Sequence, residues 1–126
     1  MRKSAISTLA MAGTMALTMM SFSMAPGVAG ASAVDDGRKI VSDRKKGNCM
    51  ACHKIADLKG RATESHGNIG PALVNMKARY PDKKKLRAKV HDATATVPNS
   101  IMPPFGKHKI LSKDEIDKVV EFIYTL

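Results

Sequence analysis

The run Cys49-Met50-Ala51-Cys52-His53 holds both cysteines of this 126-residue chain, with a histidine directly behind the second. Thiols three positions apart can reach the two vinyl groups on one edge of a porphyrin and form thioether bonds. The next residue then lies under the ring, where an imidazole nitrogen can bind iron. C-x-x-C-H is the attachment signature of a c-type haem. On this reading Cys49 and Cys52 are the covalent anchors and His53 is an axial iron ligand. Two other chemistries use close cysteine pairs. A redox dithiol belongs in a βαβ pattern, which the sequence does not show. A structural zinc site wants four protein ligands, and there is no second cysteine pair.

Iron held on one face by His53 leaves a sixth position. Met102 is the leading candidate. It sits in Ile101-Met102-Pro103-Pro104-Phe105-Gly106, where two prolines fix the backbone beside a thioether. His108 is the rival, and an open position is the third possibility. Met76 follows Leu73 at i+3, a spacing that reads as core packing. His66 falls in a glycine-rich loop, and His91 reads as a solvated residue at the end of a basic helix. The turn Asn68-Ile69-Gly70-Pro71-Ala72-Leu73 offers a carbonyl to the other ring N–H of His53, which would fix the ring and raise its basicity.

The elements that must position these groups read as helical. Val34–Gly37 reads as an irregular lead-in and Arg38–Lys46 as a short helix with Ile40 and Val41 inward. Gly47-Asn48 suits a left-handed C-cap. Residues 54–70 read as loop. Pro81 to about Ala93 reads as a helix starting at a proline, with Leu86 and Val90 on one face. Residues 94–109, with three prolines, are irregular. The last helix is the clearest: Ser112 and Glu115 make a capping box, and Ile116, Val119, Val120 and Ile123 follow at helical spacing. The sequence predicts an all-α domain of short helices and long loops, wrapped around something that is not protein.

The N-terminus predicts the compartment. Arg2 and Lys3 precede an uncharged stretch rich in Ala, Met and Leu, and Ala31-Ser32-Ala33 ends it in an A-x-A pattern. This reads as a cleavable signal peptide over residues 1–33, followed by one domain over residues 34–126 with no second hydrophobic span, exported to the periplasm. The mature chain is small and has only four aromatic side chains, Tyr80, Phe105, Phe122 and Tyr124, so its core calls for a fastening. The full chain carries 21 basic and 11 acidic side chains, and losing Arg2 and Lys3 leaves a balance of +8. Export excludes nucleic acid as the natural partner. An acidic protein surface is the better counterpart. Lys83–Lys89 and the pair Lys107 and Lys109 are candidate docking cations, though a solvated face explains Lys83–Lys85 equally well.

GNCMACH, NIGPALVNMKARYPDKKKLR and PNSIMPPFGKHKILSKDEIDKVVEFIYTL together span nearly all of Gly47 to Leu126. These runs resemble the SoxX family, the small haem subunit of the SoxAX complex of bacterial thiosulfate oxidation. MPPFGKHKIL and the IYTL terminus are the more specific parts. The resemblance implies a class I cytochrome c fold with one covalent haem c and with His53 and Met102 as axial ligands. It implies a SoxA partner that carries its own haem and the active-site cysteine. It also implies a SoxYZ carrier whose cysteine is joined to thiosulfate, and a cytochrome that takes the electrons away. The chain would then be the electron-transfer subunit of an L-cysteine S-thiosulfotransferase. A freestanding periplasmic electron shuttle is the alternative, and a haem peroxidase would require the sixth position to be open.

Overall fold

The computed structural model describes residues 27–55 and 67–126, with side chains from Ala31 onward. The helices are α1 (Gly27–Ser42), α2 (Met76–Arg79), α3 (Lys83–His91) and α4 (Lys113–Ile123), and single 3-10 turns occur at Cys49–Ala51 and Ala93–Ala95. No strand is present among the described residues, in line with the all-α expectation. Most of the expected leader, residues 1–26, lies outside the described residues, as does His66 with the rest of residues 56–66.

α4 forms as its spacing predicts. The Ser112 hydroxyl accepts from Glu115 N at 3.2 Å, and the Glu115 carboxylate accepts from Ser112 N at 2.9 Å. The backbone N–H groups of Ser112 and Glu115 are thereby both satisfied. Ile116, Val119, Val120 and Ile123 are buried, and Phe122 joins them.

α1 departs from expectation at both ends. Val34–Gly37 is helical, because Val34 packs on the core and the Asp36 carboxylate meets Lys118 of α4 at 3.3 Å. The helix stops at Ser42 rather than continuing to Lys46. The Ser42 hydroxyl bonds back to Arg38 O at 3.1 Å, and the Asp43 carboxylate accepts from Lys45 N at 2.8 Å, so two side chains compete with the helical ladder. Asn48 takes the left-handed backbone, φ 45°, at the foot of the following turn.

α3 begins at Lys83 instead of Pro81. Asp82 is the N-cap and accepts from Lys84 N at 2.9 Å, a stronger start signal than the proline before it. The helix ends at His91, before Ala93, and buries Leu86 and Val90 as expected.

α1 crosses α4 at Gly37. A Cβ there would lie 2.0 Å from the Lys118 carbonyl oxygen and 2.9 Å from Phe122 Cβ, so the helices meet backbone to backbone. The pair is fastened outside by Lys118 between Asp36 and Asp114 and by Lys46 with Glu115. α3 is bound to α4 by Lys83–Glu121 at 2.9 Å and by Arg87–Asp117.

These pairs give the fold an acid limit. The bonds from Lys118, then Lys39, hold the Asp36 carboxyl below its ordinary value, and Lys46 does the same for Glu115. A carboxyl depressed in the folded state contributes stability above its unfolded pKa and loses it as pH falls through the folded one. The urea midpoint is therefore expected to hold from about pH 7 to 5 and to decline below about pH 4. Asp36→Asn with Glu115→Gln should flatten that decline modestly, and a double variant with the wild-type slope would remove these pairs as its cause.

Candidate functional site

The CMACH segment is one tight turn. Cys52 N donates to Cys49 O at 3.2 Å and His53 N donates to the same carbonyl at 2.9 Å. This winding turns Cys49, Cys52 and His53 onto one wall of a cavity of about 730 Å³. Met102 lies on the walls of the same cavity, half-buried, with its N–H held by the Ser100 hydroxyl at 3.3 Å. His108 is exposed and does not line it. The cavity thus gathers the four residues expected from sequence, from positions far apart in the chain.

His53 is held in one orientation. Its Nδ1 lies 2.7 Å from Pro71 O. A carbonyl only accepts, so Nδ1 carries the proton, and Nε2 is left with a lone pair for a metal. The turn foreseen between Asn68 and Leu73 supplies this carbonyl. Gly70 N donates to Cys52 O at 2.8 Å, which lays the turn against the motif. A Cβ at Gly70 would sit 2.4 Å from His53 Cε1, so only glycine lets the backbone lie this close to the ring.

The Cys49 thiol is not set up for redox exchange. Burial, helped by the neighbouring Cys52, pushes the Cys49 thiol up to about 12. An exchanging or sulfur-transferring cysteine needs the opposite shift, toward thiolate. Among the described residues no group of three or more His, Cys, Asp and Glu could hold a metal ion.

The rest of the cavity fits a large flat ring with anionic edges. Its walls are mainly apolar, with Leu73, Leu86, Val90, Phe105, Leu111 and Val119 among them. Among the described residues its charged lining consists of Arg44, Lys46, Arg79 and Lys89, with no carboxylate. Lys46 is spent on Glu115, and Arg79 uses one N–H on Ala72 O at 2.7 Å. Iron porphyrin is an apolar disc with two propionates, and its iron takes nitrogen and sulfur ligands. Donor set, apolar walls and cationic rim all suit it. Met76 is buried, as its spacing suggested, and also forms part of the wall, with Arg79 Nη1 3.4 Å from its sulfur.

Several positions were not foreseen. Arg44 and Arg79 belong to the cavity, yet isolated arginines in a chain this basic carry no spacing signal. His91, expected in solvent, is half-buried beneath Gly106. Lys107, expected as a docking cation, pairs with Asp92 at 3.0 Å. In the basic helix Lys83 and Arg87 are paired with α4, while Lys84 and Lys85 are exposed without a carboxylate.

The model of the family described as Cytochrome c matches residues 34–126. An uncharacterized lipoprotein of Aquifex aeolicus is 36% identical over 80 residues, which is 64% of this chain and 37% of that protein. The chain therefore aligns with little more than a third of that relative's length.

Proposed function

The chain belongs to the cytochrome c family, and from that premise we propose that it is the small one-haem subunit of a SoxAX-type complex. The family fixes the coarser facts: a class I cytochrome c fold, a covalently attached haem c, and electron transfer as its work. Among the described residues no helix is long and apolar enough to cross a membrane.

The observation that carries the proposal is the placing of both cysteines, His53 and Met102 on one cavity. Cys49 and Cys52 would hold the ring by thioether bonds, and His53 Nε2 and the Met102 sulfur would ligate its iron. The iron would then be closed to substrate, and no thiol would be left over. Joining thiosulfate to a cysteine needs a free thiol: R–SH + S₂O₃²⁻ gives R–S–S–SO₃⁻, a proton and two electrons. The sulfur–sulfur bond must form on another chain. One haem stores one electron, so a two-electron step also needs a second acceptor. A partner with its own haem and a reactive cysteine, of the SoxA kind, meets both needs, with a SoxYZ-like carrier as substrate and a further cytochrome as outlet. The MPPFGKHKIL and IYTL segments favour this partner. Ile69, Val97, Ile101 and Ile110 are exposed around the cavity and suit a protein that stays in place over it.

Export follows from the same reading. The family match begins at Val34, where cleavage after Ala33 would start the mature chain, and the Aquifex relative is described as a lipoprotein. Asp35 and Asp36 would then sit in the first turn of the shortened α1, a favourable place for negative charge.

Purification of the native protein from periplasm, followed by a haem-stained denaturing gel, tests the partner. A second, larger haem band in equal amount supports the complex, which can then be assayed for joining thiosulfate to a carrier cysteine. A single small band eluting as a monomer would leave the freestanding shuttle. Met102→Ala tests the ligand: the ferric protein should lose its far-red sulfur–iron absorbance, and its reduction potential should drop on the order of 100–300 mV. An unchanged spectrum would return the sixth position to His108 or to solvent.

A further inference from the structure

Met102 lies at the start of a loop that is seated on the end of α3. Gly106 N and Lys107 N both donate to His91 O, at 3.0 and 3.2 Å. The Gly106 backbone rests on the His91 imidazole so closely that a Cβ would come within 2.1 Å of its Cδ2. Lys107 Nζ lies 3.0 Å from the Asp92 carboxylate. That carboxylate is itself fixed by Thr94, whose N–H donates to it at 3.0 Å and whose hydroxyl also donates. Beyond these contacts the loop closes on itself: His108 N donates to Pro104 O at 2.9 Å and Leu111 N to Phe105 O at 3.0 Å, with Phe105 buried in the core. α3 in turn is bound to α4 through Lys83 and Arg87.

We propose that His91, Asp92, Gly106 and Lys107 form a latch that seats Met102 in the cavity wall and keeps the sixth iron position closed to small molecules. The inference rests on Met102 being the axial ligand. Two hydrogen bonds, one ion pair and one close backbone-on-ring contact join residues 91–92 to residues 106–107, while Met102's own N–H has only Ser100 within its segment. Letting the sulfur leave the iron requires residues 103–107 to move, and the latch sets how often they do. Asp92 supports this role because its carboxyl is held down at about 2, first by the Thr94 hydroxyl and then by Lys107, so this carboxylate stays charged throughout the neutral range. Asp92, Lys107 and His91 are positioning residues. None of them lines the cavity.

The test uses the haem-loaded ferric protein, with imidazole added as the incoming ligand and the far-red absorbance as the readout. Asp92→Asn keeps an acceptor for Thr94 and removes only the charge pair. It should admit imidazole about two- to fivefold faster than wild type. Gly106→Ala forces a methyl into the His91 ring and should raise the rate about tenfold or more. Added salt should speed entry into wild type and leave Asp92→Asn unaffected, because screening weakens only the pair that remains. If Gly106→Ala fails to fold, Asp92→Asn and Lys107→Gln carry the test. Wild-type entry rates in both of these variants, with the sulfur–iron band present, would overturn the latch and leave the ligand assignment standing. A wild-type protein without that band would overturn the ligand assignment and the latch together.

Discussion

Replacing Cys49 and Cys52 together by serine is expected to yield a chain that gives no haem band on a denaturing gel and loses its helical circular dichroism. The reason is the size of the space these residues border. An empty internal volume costs roughly 24 cal/mol per Å³. For a cavity of about 730 Å³ that is an upper bound of roughly 17 kcal/mol, since part of the space opens to water. Even half of it would match the ~5–15 kcal/mol that holds a whole domain together. Leu73, Leu86, Val90 and Phe105 line this space and also belong to the core cluster, so a ring held there as proposed would complete their core. Either single variant keeps one thioether and should fall between wild type and the double variant. Equilibrium circular dichroism with a urea titration decides the matter. A double variant that stays helical and unfolds cooperatively without haem would show that the polypeptide can close its core unaided.

Gly37→Ala should destabilise the protein by about 2–3 kcal/mol or more, against the direction of helix propensity. Alanine inside a helix is favoured over glycine by ~1 kcal/mol. At Gly37 the added methyl would come 2.0 Å from the Lys118 carbonyl oxygen, which cannot rotate away. α1 must lift from α4, and the contacts of Val41 and Phe122, both fully buried, loosen with it. Gly37→Val adds two further methyls at the crossing and should prevent a stable fold. The sign of the alanine result is the informative part. A higher urea midpoint for Gly37→Ala would mean that the two helices do not cross as tightly as described.

The site was more legible in the sequence than the elements that carry it. On the proposed reading Cys49, Cys52 and His53 are constrained by covalent reach, which fixes their spacing in the chain, and spacing is what a sequence displays. Met102 could be picked out because two prolines follow it directly. The carbonyl that orients His53 could be foreseen as a turn, since Gly70 and Pro71 mark one, although only the fold shows that the acceptor is Pro71. α4 was clear for a similar reason: its capping box and apolar stripe are local. α1 was misjudged at both ends because the deciding contacts are not local. Asp36 becomes helical by meeting Lys118, eighty-two positions later, and Ser42 and Asp43 end the helix by side-chain bonds that spacing does not reveal. The cavity cations Arg44 and Arg79, and the seating of Gly106 on His91, are likewise products of folding. They join residues that have no pattern until the chain has closed.

The separation of the two cavity walls along the chain has a consequence for the polymer as a whole. Cys52 and Met102 are roughly fifty residues apart, and with Met102 on the iron as proposed the haem becomes a bridge between them. A bridge that closes a loop of this length removes about 4 kcal/mol of chain entropy from the unfolded ensemble. Unlike a disulfide, this bridge has one permanent end at the thioethers and one reversible end at the sulfur. Part of the molecule's resistance to unfolding would then depend on how strongly the iron holds sulfur. Gaining or losing an electron would alter how tightly the whole chain is tied.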